Sequence, residues 1–120
     1  YLSALVAYRN LCDRVRGAAT RGGEILIHGR CASIGCLSMT DERIEEIYIS
    51  GWAAFMKGRP THIHIFPARD FGPLYADAKY DQHHAFWKEI EPGYTAFEKT
   101  RRLPTVTIEK DGRYVISIQD

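Results

Sequence analysis

Residues 24–41 read EILIHGRCASIGCLSMTD. The apolar, β-branched run at 24–27 follows two glycines and predicts a short buried strand that ends at His28. The small residues of 30–39 predict a compact loop, and Thr40 or Asp41 is a good N-cap for a helix that follows. This order of strand, loop and helix places Cys36 in the short loop that begins just after His28.

The segments on either side show clear periodicity or turn signals. They are a strand over 2–8, a loop over 9–23, a helix from Asp41 that stops at Gly58 and Pro60, a strand over 61–66, a loop with one helical turn over 69–80, a helix from Asp81 kinked or restarted at Pro92, and a hairpin of 105–108 and 114–118 around Asp111-Gly112. This order predicts an α+β fold with about five short strands and two or three helices. Aromatic residues recur at helical spacing and are predicted to lie in the core: Trp52, Phe55, Phe86, Trp87 and Tyr94.

Length and charge exclude several classes of protein. The 120 residues predict one domain over 1–120. The formal net charge is +1, from 16 Lys and Arg against 15 Asp and Glu, which argues against a nucleic-acid binder. No window approaches 18 consecutive apolar residues, so no membrane span is predicted. The chain begins at Tyr1 inside an apolar run without a signal-peptide pattern, which is typical of a processed or truncated product.

His28 and Cys36 are the residue types of a base and a thiol nucleophile. A thiol needs a base or a positive field to form the reactive thiolate, and a loop that folds back can bring Cys36 to the His28 ring. Gly35 allows the tight turn that this requires, and amides around Cys36 can stabilise an oxyanion. The alternative interpretation keeps His28 as an ordinary strand-end histidine and Cys36 as a small buried apolar residue.

The string His28-Gly29, followed by Ser33-x-Gly35-Cys36, resembles the signature of the L,D-transpeptidase (YkuD-like) catalytic domain. It is most similar to one branch, the YafK-like murein L,D-transpeptidases. The further matches are Met39-Thr40-Asp41, His64-Ile65-Phe66-Pro67, Phe86-Trp87-Lys88 and the segment 97–104. The resemblance implies an L,D-transpeptidase-like β-sheet core with two or three helices packed on it. Since only about one strand precedes the His28 strand, we expect a partial catalytic domain that lacks N-terminal strands.

By this resemblance, Cys36 is the nucleophile and His28 is its base. Gly29, Ser33 and Gly35 shape the loop and the oxyanion site, and the Gly29 carbonyl orients the imidazole. The implied reaction is attack on a diaminopimelate carbonyl of a peptidoglycan stem peptide, with the acyl group passed from a thioester to an amine or to water. An envelope lipoprotein is a further implied partner, as acyl acceptor or leaving group. No cofactor is implied, and the implied compartment is the bacterial periplasm or cell envelope.

Two positions depart from the family pattern. Many members have His at the position of Ile34, and Arg or Asn where Leu37-Ser38 stand here, so no second histidine is carried over to this loop. These departures keep open a second hypothesis, a catalytically silent peptidoglycan-binding or regulatory module. A weaker alternative is a zinc site built from His62 and His64 with other His and Cys residues. The spacing of Cys31 and Cys36 is not typical of zinc ligands, so no metal is predicted.

Three residues are candidates for substrate binding: Arg30, Arg14 and His64. Arg30 lies between His28 and Cys36, and a guanidinium can pair with stem-peptide carboxylates. Surface solvation is the alternative for both arginines. The resemblance places His64 near the site, and a buried imidazole bonded to backbone is the alternative. Cys31 and Cys36 are close enough in sequence to form a disulfide in an oxidising compartment, although an inert Cys31 is favoured.

Overall fold

The computed structural model describes residues 2–7, 10–17, 23–31, 33 and 35–118. It contains both helices and small sheets, so the α+β prediction is confirmed. In chain order the elements are β1 (Ser3–Leu5), α1 (Leu11–Arg16), β2 (Leu26–His28), β3 (Leu37–Ser38), α2 (Asp41–Met56), α3 (Gly72–Ala76), a 3-10 turn (Ala78–Tyr80), α4 (Asp81–Thr100), β4 (Thr105–Ile108) and β5 (Tyr114–Ser117). The described residues form two compact units, one within 1–9 and 19–63 and the other within 10–18 and 64–120. The single domain over 1–120 stays a prediction.

The first unit contains a three-stranded sheet in the order β1-β2-β3. β1 and β2 are antiparallel, and a backbone hydrogen bond of 2.9 Å from Val6 N to Ile25 O extends their pairing. β2 and β3 are parallel, with His28 opposite Ser38. α2 packs against β1 and β2, and its Ile44 side chain is completely buried. The sheet therefore covers the N-terminal part of α2.

Helix α2 begins and ends near the predicted residues. Thr40 occupies the N-cap position, but its side chain makes no capping hydrogen bond and its backbone has a φ of 63°. At the other end, Gly58 has a φ of 64°, and its amide donates to Phe55 O at 2.9 Å. A glycine adopts this left-handed conformation without steric cost, which is why the helix stops here.

The core prediction is wrong for two aromatic residues of α2. Trp52 and Phe55 are 55% and 69% exposed, and Ile49 and Met56 beside them are exposed as well. A helix of 16 residues is about 24 Å long, whereas each strand of the sheet has only two or three residues. The sheet is too small to cover the C-terminal half of the helix. In the second unit, by contrast, Phe86, Trp87 and Tyr94 are half-buried.

Two predicted segments differ from the structure. Residues 61–66 form no strand. Their alternating residue types are typical of a strand with two different faces, but no described strand pairs with this segment. The loop expected over 9–23 contains α1, which begins with a reciprocal capping box. Asn10 Oδ1 accepts from Asp13 N at 3.1 Å, and the Asp13 carboxylate accepts from Asn10 N at 3.0 Å. These bonds satisfy amides that the helix itself leaves unpaired.

Other boundaries shift by a few residues. The strand expected over 2–8 is confined to Ser3–Leu5, β3 lies inside the expected loop 30–39, and Asp81 is the first residue of α4 rather than its N-cap. The predicted helical turn within 69–80 is confirmed by α3 and the 3-10 turn. The predicted hairpin is confirmed as well, with β4 and β5 paired antiparallel from Thr105–Ser117 to Ile108–Tyr114.

In the second unit, the hairpin packs on α4. Pro92 lies within this helix, and the neighbouring Gly93 is buried. A Cβ at Gly93 would lie 3.0 Å from Ile116 Cδ1, so the absence of a side chain there lets β5 approach the helix closely. α4 ends where Arg101 turns to a φ of 57° and its amide donates to Phe97 O at 2.7 Å.

The half-buried carboxylate of Glu89 joins helix α1 to α4 and β5. Glu89 receives hydrogen bonds from Arg16 Nη1 at 2.9 Å and from the backbone amide of Tyr114 at 2.5 Å. Asn10 Nδ2 also donates to Tyr114 Oη at 2.7 Å, next to the buried Cys12. Glu89 therefore connects three elements of the second unit.

We expect Glu89→Ala to lower the free energy of unfolding by about 2 kcal/mol, because it leaves a backbone amide and a guanidinium without their acceptor. Urea unfolding measures the change. Glu46→Ala is the matched control, since Glu46 pairs with Arg43 on the surface and such pairs contribute less than about 1 kcal/mol. Equal effects of the two substitutions would contradict the role given to Glu89.

Tyr75 is the most perturbed titratable group among the described residues of the second unit. Its ring centroid lies 5.3 Å from that of His84 and 6.4 Å from that of Trp87, and its hydroxyl donates to Glu91 Oε2 at 2.8 Å. Burial, and then the hydrogen bond and negative charge of Glu91, raise the pKa of Tyr75 to about 12. Ionisation would place a second negative charge beside a carboxylate in a partly desolvated site.

This shift predicts a loss of stability at alkaline pH. A raised pKa stabilises the fold fully below the ordinary value of 10, and the contribution is lost as the pH rises towards about 12. Tyr75→Phe should therefore lose less stability than the unchanged chain across that interval, as measured by urea midpoints at each pH. Tyr48→Phe in α2 is the control. If both substitutions change the pH dependence of stability equally, Tyr75 is not the group responsible for it.

Candidate active site

His28 is the last residue of β2, and its tautomer follows from one contact. The Nδ1 atom lies 2.5 Å from the carbonyl oxygen of Gly29, which is buried. A carbonyl oxygen only accepts hydrogen bonds, so Nδ1 carries the proton in the neutral ring. Nε2 is then the unprotonated nitrogen, which is the atom that a general base uses.

Cys36 immediately precedes β3, the strand beside β2. The register of the two strands pairs His28 with Ser38, two residues after Cys36. Among the residues that the structure describes, no hydrogen bond joins these two side chains. Cys36 Sγ instead lies 4.0 Å from the carbonyl oxygen of Glu24, to which a thiol can donate. The fold brings the two residues to neighbouring segments of one sheet, and catalytic hydrogen bonds commonly tighten only when substrate binds.

Ser33 and Gly35 shape the loop in front of Cys36. The hydroxyl oxygen of Ser33 accepts from the Cys36 amide at 2.8 Å, and Gly35 has a φ of 91° that favours glycine. The Cys36 amide is thus used within the loop. For it to stabilise an oxyanion, the Ser33 hydroxyl has to give way to the substrate oxygen, and this role stays a prediction.

The two ends of the loop meet at Arg30. Its amide donates to Asp41 Oδ1 at 2.9 Å, and its carbonyl accepts from Ser38 Oγ and from the Thr40 amide, each at 2.8 Å. Arg30 and Thr40 both have left-handed backbones, with φ of 64° and 63°. We call these four residues the neck of the loop. From the sequence, Asp41 is expected to cap or begin a helix and is among the residues that carry the family resemblance, and no spacing signal points to Ser38.

The remaining predicted site residues are distributed over both units. The Arg30 side chain is exposed on the same loop as Cys36. Arg14 lies on α1 and His64 in the segment before α3, both in the second unit. Their roles in substrate binding stay predictions.

The three cysteines are free thiols in unlike environments. Cys31 is exposed, whereas Cys12 is buried on α1. Burial raises the pKa of the Cys12 thiol, although a hydrogen bond from Tyr114 opposes the shift. A buried thiol that ionises less readily reacts slowly with electrophiles, so Cys12 serves as an internal reference for Cys36.

The described ranges contain neither a metal cluster nor a membrane span. No group of three or more His, Cys, Asp or Glu residues there is arranged to hold a metal ion. No helix of that part of the chain combines the length and apolar character needed to cross a membrane.

No profile of a known protein family matches the chain. Two curated proteins are each 37% identical to it over 118 residues, which is 98% of this chain and 47% of theirs. Both carry the name "Putative L,D-transpeptidase YafK", one from Escherichia coli strain K12 and the other from Escherichia coli O157:H7. The chain therefore spans about half the length of the curated relatives it matches. The predicted resemblance to YafK-like L,D-transpeptidases is confirmed, and the α+β fold agrees with it.

The backbone at Gly35 predicts opposite effects for two glycine substitutions. A methyl group added at Gly35 or at Gly51 would meet no described atom within 4 Å, but only Gly35 has a positive φ. We expect Gly35→Ala to destabilise the chain by about 1–2 kcal/mol through backbone strain. Gly51→Ala, in the interior of α2, should stabilise it by about 0.5–1 kcal/mol. Urea unfolding of both variants checks the prediction, and effects of the same sign would contradict it.

Proposed function

We propose that this chain is part of a YafK-like L,D-transpeptidase and contains the nucleophile and base of its cysteine acyltransferase site. The observation that carries the proposal is the contact of His28 Nδ1 with the Gly29 carbonyl oxygen, which leaves Nε2 available as a base. The position of Cys36 immediately before the adjacent strand supports it. The similarity to the curated relatives along 98% of the chain supports peptidoglycan as the substrate class.

In the acylation step, His28 Nε2 takes the proton from Cys36 Sγ. The thiolate attacks a diaminopimelate carbonyl carbon of a peptidoglycan stem peptide, a C–S bond forms, and the carbonyl oxygen becomes an oxyanion. When the C–N bond breaks, the imidazolium returns its proton to the leaving amine, and a thioester remains on Cys36. One imidazole serves as both base and acid because its protonated form appears only between these two events.

In the deacylation step, an amine or a water molecule attacks the thioester. His28 takes a proton from the attacking group, and the departing Cys36 sulfur recovers one as the C–S bond breaks. Attack by an amine forms a new amide, which is a cross-link or an attachment to an envelope lipoprotein, while attack by water yields a carboxylic acid. The exposed Arg30 guanidinium is the proposed partner of stem-peptide carboxylates, with Arg14 and His64 as further binding residues. The proposed compartment is the periplasm or cell envelope.

A catalytically silent peptidoglycan-binding module is the second candidate. It is favoured by one observation, the contact of Cys36 Sγ with the Glu24 carbonyl at 4.0 Å in place of a contact with His28. In such a module, Cys36 would behave as an ordinary thiol and His28 would be irrelevant to its reactivity.

We expect a carbapenem to add one equivalent of mass to the chain, because the resemblance to L,D-transpeptidases implies a cysteine that these β-lactams acylate. Intact-mass analysis should show no adduct in Cys36→Ala, and adduct formation about a hundredfold slower in His28→Ala. Cys31→Ala, a thiol change in the same loop, is the matched control and should retain the adduct.

A different result would favour the catalytically silent module. If the carbapenem forms no adduct while iodoacetamide labels Cys36 at the same rate with and without His28, the silent module is the better description.

A further inference from the structure

We infer that Asp41 is a positioning residue for the reaction of Cys36 and acts through the backbone of Arg30. This inference rests on the proposed function, in which Cys36 and His28 form the reactive pair. Asp41 forms no hydrogen bond or ion pair with either of these side chains in the described structure; its carboxylate bonds to the Arg30 amide. Its contribution is to hold together the two chain segments that carry them.

The first observation is the number of bonds that converge on one residue. Both backbone polar groups of Arg30 are taken up by the segment 38–41, the amide by the Asp41 carboxylate and the carbonyl by the Ser38 hydroxyl and the Thr40 amide. A hydrogen bond to a carboxylate is stronger than one between neutral groups. Asp41 therefore provides the strongest single contact of the neck.

The second observation is backbone strain. Arg30 and Thr40 both adopt left-handed conformations with φ of 64° and 63°, although neither is glycine. Such conformations persist only where surrounding contacts hold them in place, and they are found preferentially at functional sites. The Asp41 bond is the contact that holds the Arg30 amide in this orientation.

The third observation is where the neck lies relative to the reactive pair. His28 is two residues before Arg30, and Cys36 is two residues before Ser38, so the neck joins the segments that carry both. The Met39 amide also donates to the His28 carbonyl at 2.9 Å, which continues the β2–β3 pairing into the neck. If the neck opens, the separation of Cys36 from His28 is no longer fixed.

A comparison of Asp41 with its neighbour Glu42 separates the bond to Arg30 from the general effect of an acidic residue at the start of a helix. Both acidic residues lie in the first turn of α2, where a negative charge is favourable. Only Asp41 bonds to Arg30, eleven positions earlier in the chain. Glu42→Ala is therefore a matched control that removes the same charge from the same helix turn.

The test measures the rate at which iodoacetamide alkylates Cys36, resolved by peptide mass spectrometry across a range of pH. For Asp41→Ala we expect alkylation at neutral pH to slow about tenfold and the midpoint of the pH profile to move up by about one unit. Simple removal of a nearby negative charge would move the midpoint down, because it favours the thiolate. The sign of the shift thus separates positioning from charge.

Two further variants test the hydrogen bonds of the neck separately from the charge of Asp41. Asp41→Asn keeps an acceptor oxygen for the Arg30 amide without the charge, and should restore most of the rate. Ser38→Ala should have a smaller effect than Asp41→Ala, because the Thr40 amide still donates to the Arg30 carbonyl. Far-UV circular dichroism and urea unfolding verify that each variant is folded.

The two levels of failure are distinguishable. If Cys36 of the unchanged chain is an ordinary thiol whose profile is the same in His28→Ala, the proposed function fails and the positioning role fails with it. If Cys36 depends on His28 but Asp41→Ala reacts like Glu42→Ala, or if Asp41→Asn is as slow as Asp41→Ala, the positioning role of Asp41 alone is overturned.

Discussion

Two neighbouring parallel strands in this chain are joined by very few residues. β2 ends at His28 and β3 begins at Leu37, so residues 29–36 make the whole connection. Parallel strands usually need a crossover of about a dozen or more residues, because the chain has to return to the edge from which it started. Here the return is compressed, and the backbone passes through the left-handed region at Arg30 and Gly35. The position of His28 and Cys36 on adjoining segments of the chain and the strain beside them are two results of this constraint.

The constraint also explains why the helix that follows is capped in an unusual way. Thr40 would ordinarily hydrogen-bond to the first turn of α2, but its left-handed backbone is committed to the neck. Arg30 and Thr40 have a positive φ without being glycine, which costs about 1–3 kcal/mol each. The three hydrogen bonds to Arg30 contribute about 1 kcal/mol for each neutral donor and about 1.5–3 kcal/mol for the carboxylate. The free energy gained from these hydrogen bonds is similar to the free-energy cost of the strained backbone. The net stabilisation of the loop is therefore small.

Sequence patterns predict this fold where the signal is local. The β2 strand, the start and end of α2, the long helix α4 and the hairpin around Asp111-Gly112 all have neighbouring residues that favour one structure. The α1 helix escapes prediction although its capping residues are visible, since the surrounding arginines and glycines suggest a loop. The strand prediction for 61–66 is wrong because a strand depends on a partner that alternation does not reveal. Burial of Trp52 fails for the same reason, as it depends on what covers the helix.

In the candidate site, too, local features can be predicted from the sequence and features that depend on the folded chain cannot. His28 and Cys36 are recognisable as a pair because their residue types and spacing are chemically suggestive. The parallel register, the Glu24 carbonyl near the thiol and the bond from Arg30 to Asp41 arise only once the chain is folded. No spacing rule links residues 30 and 41. The hydrogen bond between them forms only because the short connection between β2 and β3 turns the chain back on itself.

The two tryptophans of the chain occupy unlike surroundings, one in each unit. Trp52 is more than half exposed on α2, whereas Trp87 on α4 lies within 5.5 Å of the rings of His83 and Tyr80, measured between centroids. An exposed indole emits at longer wavelength than one surrounded by aromatic rings, and a neighbouring imidazole quenches it when protonated. The chain therefore contains two intrinsic optical reporters, one in each unit, and its loss of structure can be followed without adding a label.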